Sequence, residues 1–105
     1  MEIVEKRIYY IELLHVYGEL LSTAQKEILI DYLDCDLSLS EIADNRGISR
    51  AAVEDAIKKG MKKLDAYEGA VGYISKKEEI LKNTAVLKEK IGDCSEIDEI
   101  EEVLK

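Results

Sequence analysis

Apolar positions recur at steps of three and four along most of the chain, the spacing that gathers them on one face of an α-helix. The clearest stripe, between residues 50 and 68, comprises Val53, Ile57, Gly60, Leu64 and Tyr67. No stretch alternates apolar and polar residues over a useful strand length. The spacing predicts six helices, at about residues 2–17, 23–34, 39–46, 50–68, 76–91 and 96–104. The expected fold class is therefore all-α.

Helix start and stop signals support these boundaries. Three helices begin at a serine followed three residues later by Gln or Glu, the pattern of a capping box. These serines are Ser22, Ser38 and Ser75. Three helices end at a glycine that we expect in the left-handed conformation of a helix C-terminus, namely Gly18, Gly47 and Gly92. A glycine inside a helix costs about 1 kcal/mol relative to alanine, so Gly60 predicts the close approach of another helix.

The first helix is apolar on two sides. One stripe comprises Val4, Ile8, Ile11 and Leu14, and a nearly opposite one comprises Tyr9, Leu13 and Val16. Such a helix is either buried between other elements or covered by a partner. We favour burial within its own bundle, and self-association is the alternative.

The C-terminal helices also carry apolar residues that need cover: Ile80, Leu87, Ile97, Ile100 and Leu104. They either fold back on the bundle or pair with a second copy, so a homodimer is possible. We predict two domains, a helix-turn-helix bundle at 1–72 and a C-terminal helical extension at 73–105.

Residues 38–64 have the spacing of a helix-turn-helix motif. Leu39, Ile42 and Ala43 form the inner face of the first helix. Gly47 turns the chain, Ile48 is expected to fill the gap between the helices, and Ser49 to cap the second helix. The residues that we predict to contact a nucleic acid or protein partner are Arg46, Ser49, Arg50, Lys58, Lys59, Lys62 and Lys63.

A simpler interpretation of the same helix surface stays open. Glu54 with Lys58, and Asp55 with Lys59, are acid-first pairs four residues apart, and each stabilises an exposed helix by about 0.2–0.5 kcal/mol. The first turns of a DNA-reading helix face base edges, where Ala51 and Ala52 carry little base information. Backbone contacts to a structured RNA, or contacts to a protein surface, therefore fit better than the reading of duplex DNA.

Charge is unevenly distributed along the 105 residues. The formal net charge is −8, which disfavours a non-specific binder of polyanions. Only residues 38–64 are basic, with six basic and four acidic side chains. The segments 1–37 and 93–105 are strongly acidic. They either bind a basic partner or keep the protein soluble.

Composition and motifs disfavour several function classes. No phosphate-binding glycine loop and no nucleophile beside a base is evident, so we expect no enzyme, no catalytic residue and no cofactor. Cys35 and Cys94 lack metal-ligand spacing, and two cysteines make no disulfide framework. The longest apolar run, residues 8–11, is too short to span a bilayer, and no basic-then-apolar leader is present. We therefore expect a cytoplasmic protein without metal or membrane insertion.

Three stretches resemble the YlxM family of small bacterial helix-turn-helix proteins associated with the signal recognition particle. They are YGELLSTAQ at 17–25, YLDCDLSLSEIA at 32–43 and ISRAAVEDAIKK at 48–59. The central part also resembles region 4 of bacterial sigma factors. The sequence departs from the family pattern at Ala51, Glu54 and Ala56.

The resemblance implies a helical bundle with a sigma-region-4-like helix-turn-helix. It also implies a regulatory or accessory protein that touches the RNA or the GTPase subunit of the signal recognition particle. The alternatives are a sigma-region-4-like DNA-binding transcriptional regulator and a module that only binds other proteins.

Overall fold

The computed structural model describes residues 3–105, and side chains from residue 6 onward. Six α-helices follow one another: α1 (Ile3–Tyr17), α2 (Thr23–Leu29), α3 (Leu39–Arg46), α4 (Arg50–Val71), α5 (Tyr73–Ile91) and α6 (Ser95–Leu104). A short 3-10 helix (Gly18–Leu20) follows α1, and a π-helix (Ile30–Asp34) follows α2. No strand occurs within this range, so the all-α prediction is confirmed. The expected start of the first helix at residue 2, and the side chain of Val4, lie outside the described residues.

The chain divides into two compact units, Met1–Ala70 and Val71–Lys105. Below, they are the N-terminal and the C-terminal unit. The two domains expected from the sequence imply independent folding, and that stays a prediction.

The core of the N-terminal unit joins α1, α2, α3 and α4. Its fully buried side chains include Leu13, Leu29, Ile42, Val53 and Leu64. On α1 the buried set draws on both apolar stripes, because Leu13, Leu14 and Tyr17 are all buried. The expected burial of this helix within its own bundle therefore holds only in part, since Ile8 is 61% exposed and Val16 is also exposed.

At Gly60, α4 packs closely against α2. A Cβ atom at this position would lie 2.7 Å from Leu29 Cδ1, closer than van der Waals contact permits. Leu29 is itself fully buried. The close approach predicted from Gly60 is therefore confirmed, and its partner is α2.

The segment after α2 differs from the expected continuous helix 23–34. A π-helix at Ile30–Asp34 replaces its last part, and π-turns of this kind accommodate an extra residue in the helical path. Arg7 donates hydrogen bonds to the carbonyl oxygens of Tyr32 and Leu33, and its guanidinium lies 5.6 Å from the centroid of the Tyr32 ring. The guanidinium of Arg7 on α1 therefore contacts the π-helix through two hydrogen bonds and the face of one aromatic ring.

Local signals were accurate at some helix ends and misleading at others. Gly47 has the left-handed conformation that was predicted. Gly92 has a positive φ of 79° but a ψ of −168°, so it departs from that conformation, and Gly18 has no positive φ and begins the 3-10 helix. The capping box predicted at Ser75 was wrong, because α5 begins at Tyr73 after Gly72, whose φ of 68° ends α4. Ser75 therefore lies inside the first turn of α5.

The C-terminal unit contains α5 and α6, which contact each other. Lys88 Nζ lies 2.6 Å from Glu101 Oε1 and 3.1 Å from Asp98 Oδ1, and Thr84 donates to Glu101 Oε2. These contacts raise the pKa of Lys88 and lower that of Glu101, because each favours the charged form. Of the apolar residues expected to find cover, Ile97 is buried, whereas Ile80, Leu87 and Ile100 are exposed.

Candidate nucleic-acid interface

Helix α3 begins and ends at the residues predicted from the sequence. Ser38 Oγ accepts from the Glu41 amide at 3.1 Å, and Glu41 Oε1 accepts from the Ser38 amide at 2.9 Å. The capping box is therefore complete. These hydrogen bonds, the one from the Ser38 backbone first, lower the pKa of Glu41. Gly47 ends the helix with a φ of 65° and donates its amide to the Ala43 carbonyl.

The turn from α3 to α4 is tied to both helices. The Ile48 amide donates to the Ala43 carbonyl at 3.1 Å, and the Ala52 amide donates to Ser49 Oγ at 3.0 Å. Ser49 thus caps α4 as expected. The expectation that Ile48 fills the gap between the helices was wrong, because 39% of this residue is exposed. Val53, Ile57 and Leu64 fill the inner face of α4 instead.

Four lysines of α4 are exposed and form what we name the lysine surface: Lys58, Lys59, Lys62 and Lys63. The predicted pairs with the acidic residues one turn earlier are confirmed. Lys58 Nζ lies 3.6 Å from Glu54 Oε1, and Lys59 Nζ lies 3.0 Å from Asp55 Oδ2. All four partners are exposed, so these pairs are weak and can open for a ligand.

A groove of about 340 Å³ lies beside the lysine surface. Its lining includes Lys59, Lys62 and Lys63 from α4, with Gln25 from α2. Lys63 Nζ donates to Gln25 Oε1 at 3.1 Å. In the sequence, Gln25 is recognisable only as part of a capping box. Its position beside the lysines could not be predicted, because it depends on the packing of α2 against α4.

Arg46 and Arg50 are placed very differently. Arg46 Nε donates to Asp31 Oδ2 at 2.6 Å, and its Nη1 donates to Glu27 Oε2 at 3.1 Å. The guanidinium therefore ties α3 to the α2 segment, and the Asp31 hydrogen bond raises the Arg46 pKa. Arg50 is exposed at the first residue of α4.

The last acidic side chains of α4 in the N-terminal unit point toward α1. Tyr10 donates its hydroxyl to Asp65 Oδ2 at 2.7 Å, and Tyr17 donates to Glu68 Oε1 at 2.6 Å. Burial and the hydrogen bond to Asp65 raise the pKa of Tyr10 to about 12. Both carboxylates are thus engaged by tyrosines of α1, while the lysine surface faces water.

Other candidate chemistry was also located. Both cysteines are free. Across the described side chains, no three His, Cys, Asp or Glu residues converge in a way that could hold a metal ion. None of the helices in the described part of the chain combines the length and the apolar character that crossing a membrane requires.

The sequence from α1 to α6 matches the model of one known family. A sequence model of the UPF0122 family, described as "Putative helix-turn-helix protein, YlxM / p13 like", matches residues 4–104. This chain belongs to the UPF0122 family. The resemblance to YlxM proteins noted from the sequence is therefore confirmed, and the chain is a helix-turn-helix protein.

Curated relatives support the same assignment. A UPF0122 protein of Fusobacterium nucleatum is 42% identical over 87 residues, which is 83% of this chain and 84% of the relative. A UPF0122 protein of Clostridium acetobutylicum is 36% identical over 109 residues, covering 97% and 94% of the two chains. The names of both relatives give the family and no ligand. The roles of the seven candidate contact residues stay predictions.

Proposed function

We propose that this protein is a non-enzymatic, cytoplasmic accessory of the signal recognition particle that binds the particle's RNA. The observation that carries the proposal is the lysine surface and the groove beside it. Lys62 and Arg50 make no ion pair with any other described residue, so both are available for phosphates. The resemblance to YlxM proteins supplies the choice of particle.

The chemistry of α4 favours a nucleic-acid backbone over base edges. Ala51 and Ala52 stand in its first turn, and Glu54 and Asp55 follow them. Alanine reads almost no base information, and carboxylates repel phosphates. Lysines one and two turns further on meet phosphates as point charges. A structured RNA, recognised through shape and backbone, matches this arrangement.

The test is a titration of the whole protein against the particle's RNA and, separately, its GTPase subunit, over a series of salt concentrations. We expect RNA binding that weakens when Arg50→Ala, Lys62→Ala and Lys63→Ala are combined. The slope of log affinity against log salt should fall by about one for each phosphate that the variant no longer neutralises.

The matched control combines Lys6→Ala, Lys82→Ala and Lys105→Ala, three exposed lysines outside α4. It removes the same charge, so it should leave RNA binding close to wild type. Equal weakening by both triple variants would mean that only net charge matters and would overturn the assignment to α4. Binding to the GTPase subunit alone would replace the RNA by a protein partner.

A DNA-binding regulator is the second candidate. The helix-turn-helix itself favours it, with Arg50 exposed at the start of the second helix. Such a protein needs two recognition helices about one DNA turn apart, and hence a dimer or a partner. An affinity that differs strongly between duplex sequences would support this function, and an affinity that ignores sequence would argue against it.

A further inference from the structure

The C-terminal unit leaves most of its large apolar side chains in water. Within Val71–Lys105, the buried side chains are Ile74, Thr84 and Ile97. The exposed ones include Ile80, Val86, Leu87, Ile91, Ile100 and Val103. Ile91 is 60% exposed and Val103 is 82% exposed. More of the large apolar side chains of this unit are therefore exposed than buried.

The size of the unit makes this exposure significant. Folded units below about 40 residues usually need a disulfide, a metal or oligomerisation, because they cannot bury enough surface alone. The C-terminal unit has 35 residues. Its one cysteine, Cys94, is free, and its described side chains form no metal-binding cluster. A second copy of the chain would cover the exposed residues and supply the stabilisation that oligomerisation gives to small units.

The exposed residues of α5 follow the spacing of a helix–helix seam. Tyr73, Ile80 and Leu87 are separated by steps of seven, and Ile91 follows four residues later. A seven-residue repeat keeps side chains on one side of a helix over several turns, which is how helices pair along their length. Val86, equally exposed, lies about 100° around the helix from Leu87 and outside the stripe.

The two helices carry charges of opposite sign. α5 contains five lysines and three glutamates, whereas α6 contains five acidic residues and no basic one. Lys76 and Lys90 are exposed near the α5 stripe by helical spacing, and Glu96 and Glu99 are exposed near Ile100. A hairpin with one basic and one acidic helix is complementary to a second copy of itself, rotated so that each α5 faces the other chain's α6.

We propose that the C-terminal unit is a dimerisation module, in which the α5 stripe and the apolar residues of α6 pack against a second copy of this chain. The charged flanks fix the orientation, with the basic helix of one chain beside the acidic helix of the other. The proposed interface does not include the lysine surface on α4. Dimerisation and RNA binding can therefore be tested separately.

The first test measures the mass of the whole protein by light scattering at two widely separated concentrations. We expect a dimer that dissociates on dilution. Leu87→Glu should raise the dimer dissociation constant by about tenfold or more, because it places a charge in the seam. Val86→Glu is the matched control, since both residues are 43% exposed on the same helix. A monomer at both concentrations, or equal effects of the two variants, overturns the proposal.

The second test remains decisive even if Leu87→Glu unfolds the hairpin. One variant combines Lys76→Glu with Lys90→Glu, and the other combines Glu96→Lys with Glu99→Lys. Each alone should dimerise poorly, because like charges then face each other across the interface. An equimolar mixture should recover dimers, since every facing pair is again opposite in sign. Recovery on mixing requires contact between chains, so its absence overturns the proposed orientation.

Discussion

The two units of this protein differ in how they satisfy their apolar residues. Of the described side chains, twelve of the fourteen buried apolar ones lie in the N-terminal unit. There, α4 packs so tightly against α2 that Gly60 leaves no room for a methyl group. In the C-terminal unit, a few buried residues and a cluster of charges around Lys88 join α5 to α6.

The difference shows that the free energy of unfolding can have different sources in two parts of one helical chain. The N-terminal unit closes its own core, so its stability should not depend on protein concentration. The C-terminal unit keeps an apolar stripe open, so its stability should rise with anything that covers the stripe. The following substitutions test this contrast.

The largest effect is expected from Leu64→Ala, which removes a fully buried side chain of α4. Truncating a buried leucine costs about 2–5 kcal/mol, because it removes apolar packing and leaves a cavity. Urea unfolding of the N-terminal unit measures this destabilisation, which should be the same at high and low protein concentration. Leu20→Ala, at a 61% exposed leucine of the same unit, should change stability by only about 0.5 kcal/mol.

Gly60→Ala and Gly69→Ala compare two glycines of the same helix. At Gly69 a Cβ atom meets nothing within 4 Å, so alanine should stabilise α4 by up to about 1 kcal/mol. At Gly60 the new methyl group meets the buried Leu29, and overpacking of this kind costs about 1–3 kcal/mol. Opposite signs in thermal unfolding would confirm the tight crossing. If Gly60→Ala stabilised the protein instead, α2 would have to shift to make room for the methyl group.

Ser38→Ala removes the side-chain half of the capping box on α3. Removal of such a cap costs about 1 kcal/mol, and this cost should appear in unfolding of the N-terminal unit. Ser40→Ala, two residues later inside the same helix, is the control and should not destabilise. If both substitutions have equal effects, the cap does not determine where α3 begins.

At neutral pH the smallest effect is that of Tyr10, whose contribution changes only in strongly alkaline solution. Its pKa is raised from 10.0 to about 12, so the neutral hydroxyl is the form that the fold favours. The stabilisation is therefore complete below pH 10 and is lost as the pH rises toward 12. Ultraviolet titration of tyrosinate should show one late-titrating hydroxyl fewer in Tyr10→Phe than in the wild type, and an unchanged number would contradict the assignment. A late group that persists in Tyr10→Phe would belong to another tyrosine.

Where the signal is local, the sequence was sufficient. Ser38, Glu41 and Gly47 determine both ends of α3 through contacts within a few residues, and all were recognised. The exposure of the lysine surface followed from the stripe on the opposite side of α4. Gly60 was informative because its cost in a helix needs a compensating contact.

Where the structure depends on contacts between distant residues, the sequence was not sufficient. The π-helix at Ile30–Asp34 keeps an apolar spacing close to that of an α-helix, and part of its stabilisation comes from Arg7 on α1. Arg46 looks like a surface cation until α2 brings Asp31 and Glu27 beside it. Gly72 ended α4 where a capping signal at Ser75 suggested a later start for α5.

The lysine surface of this acidic protein has a consequence for encounters in solution. From far away, the protein presents an anion of net charge −8, whereas an approaching molecule close to α4 meets four ammonium groups. Mobile ions screen the distant repulsion first, because the Debye length falls to about 10 Å at 0.1 M salt. A polyanion should therefore approach this protein fastest at intermediate ionic strength, unlike an encounter with a uniformly basic protein.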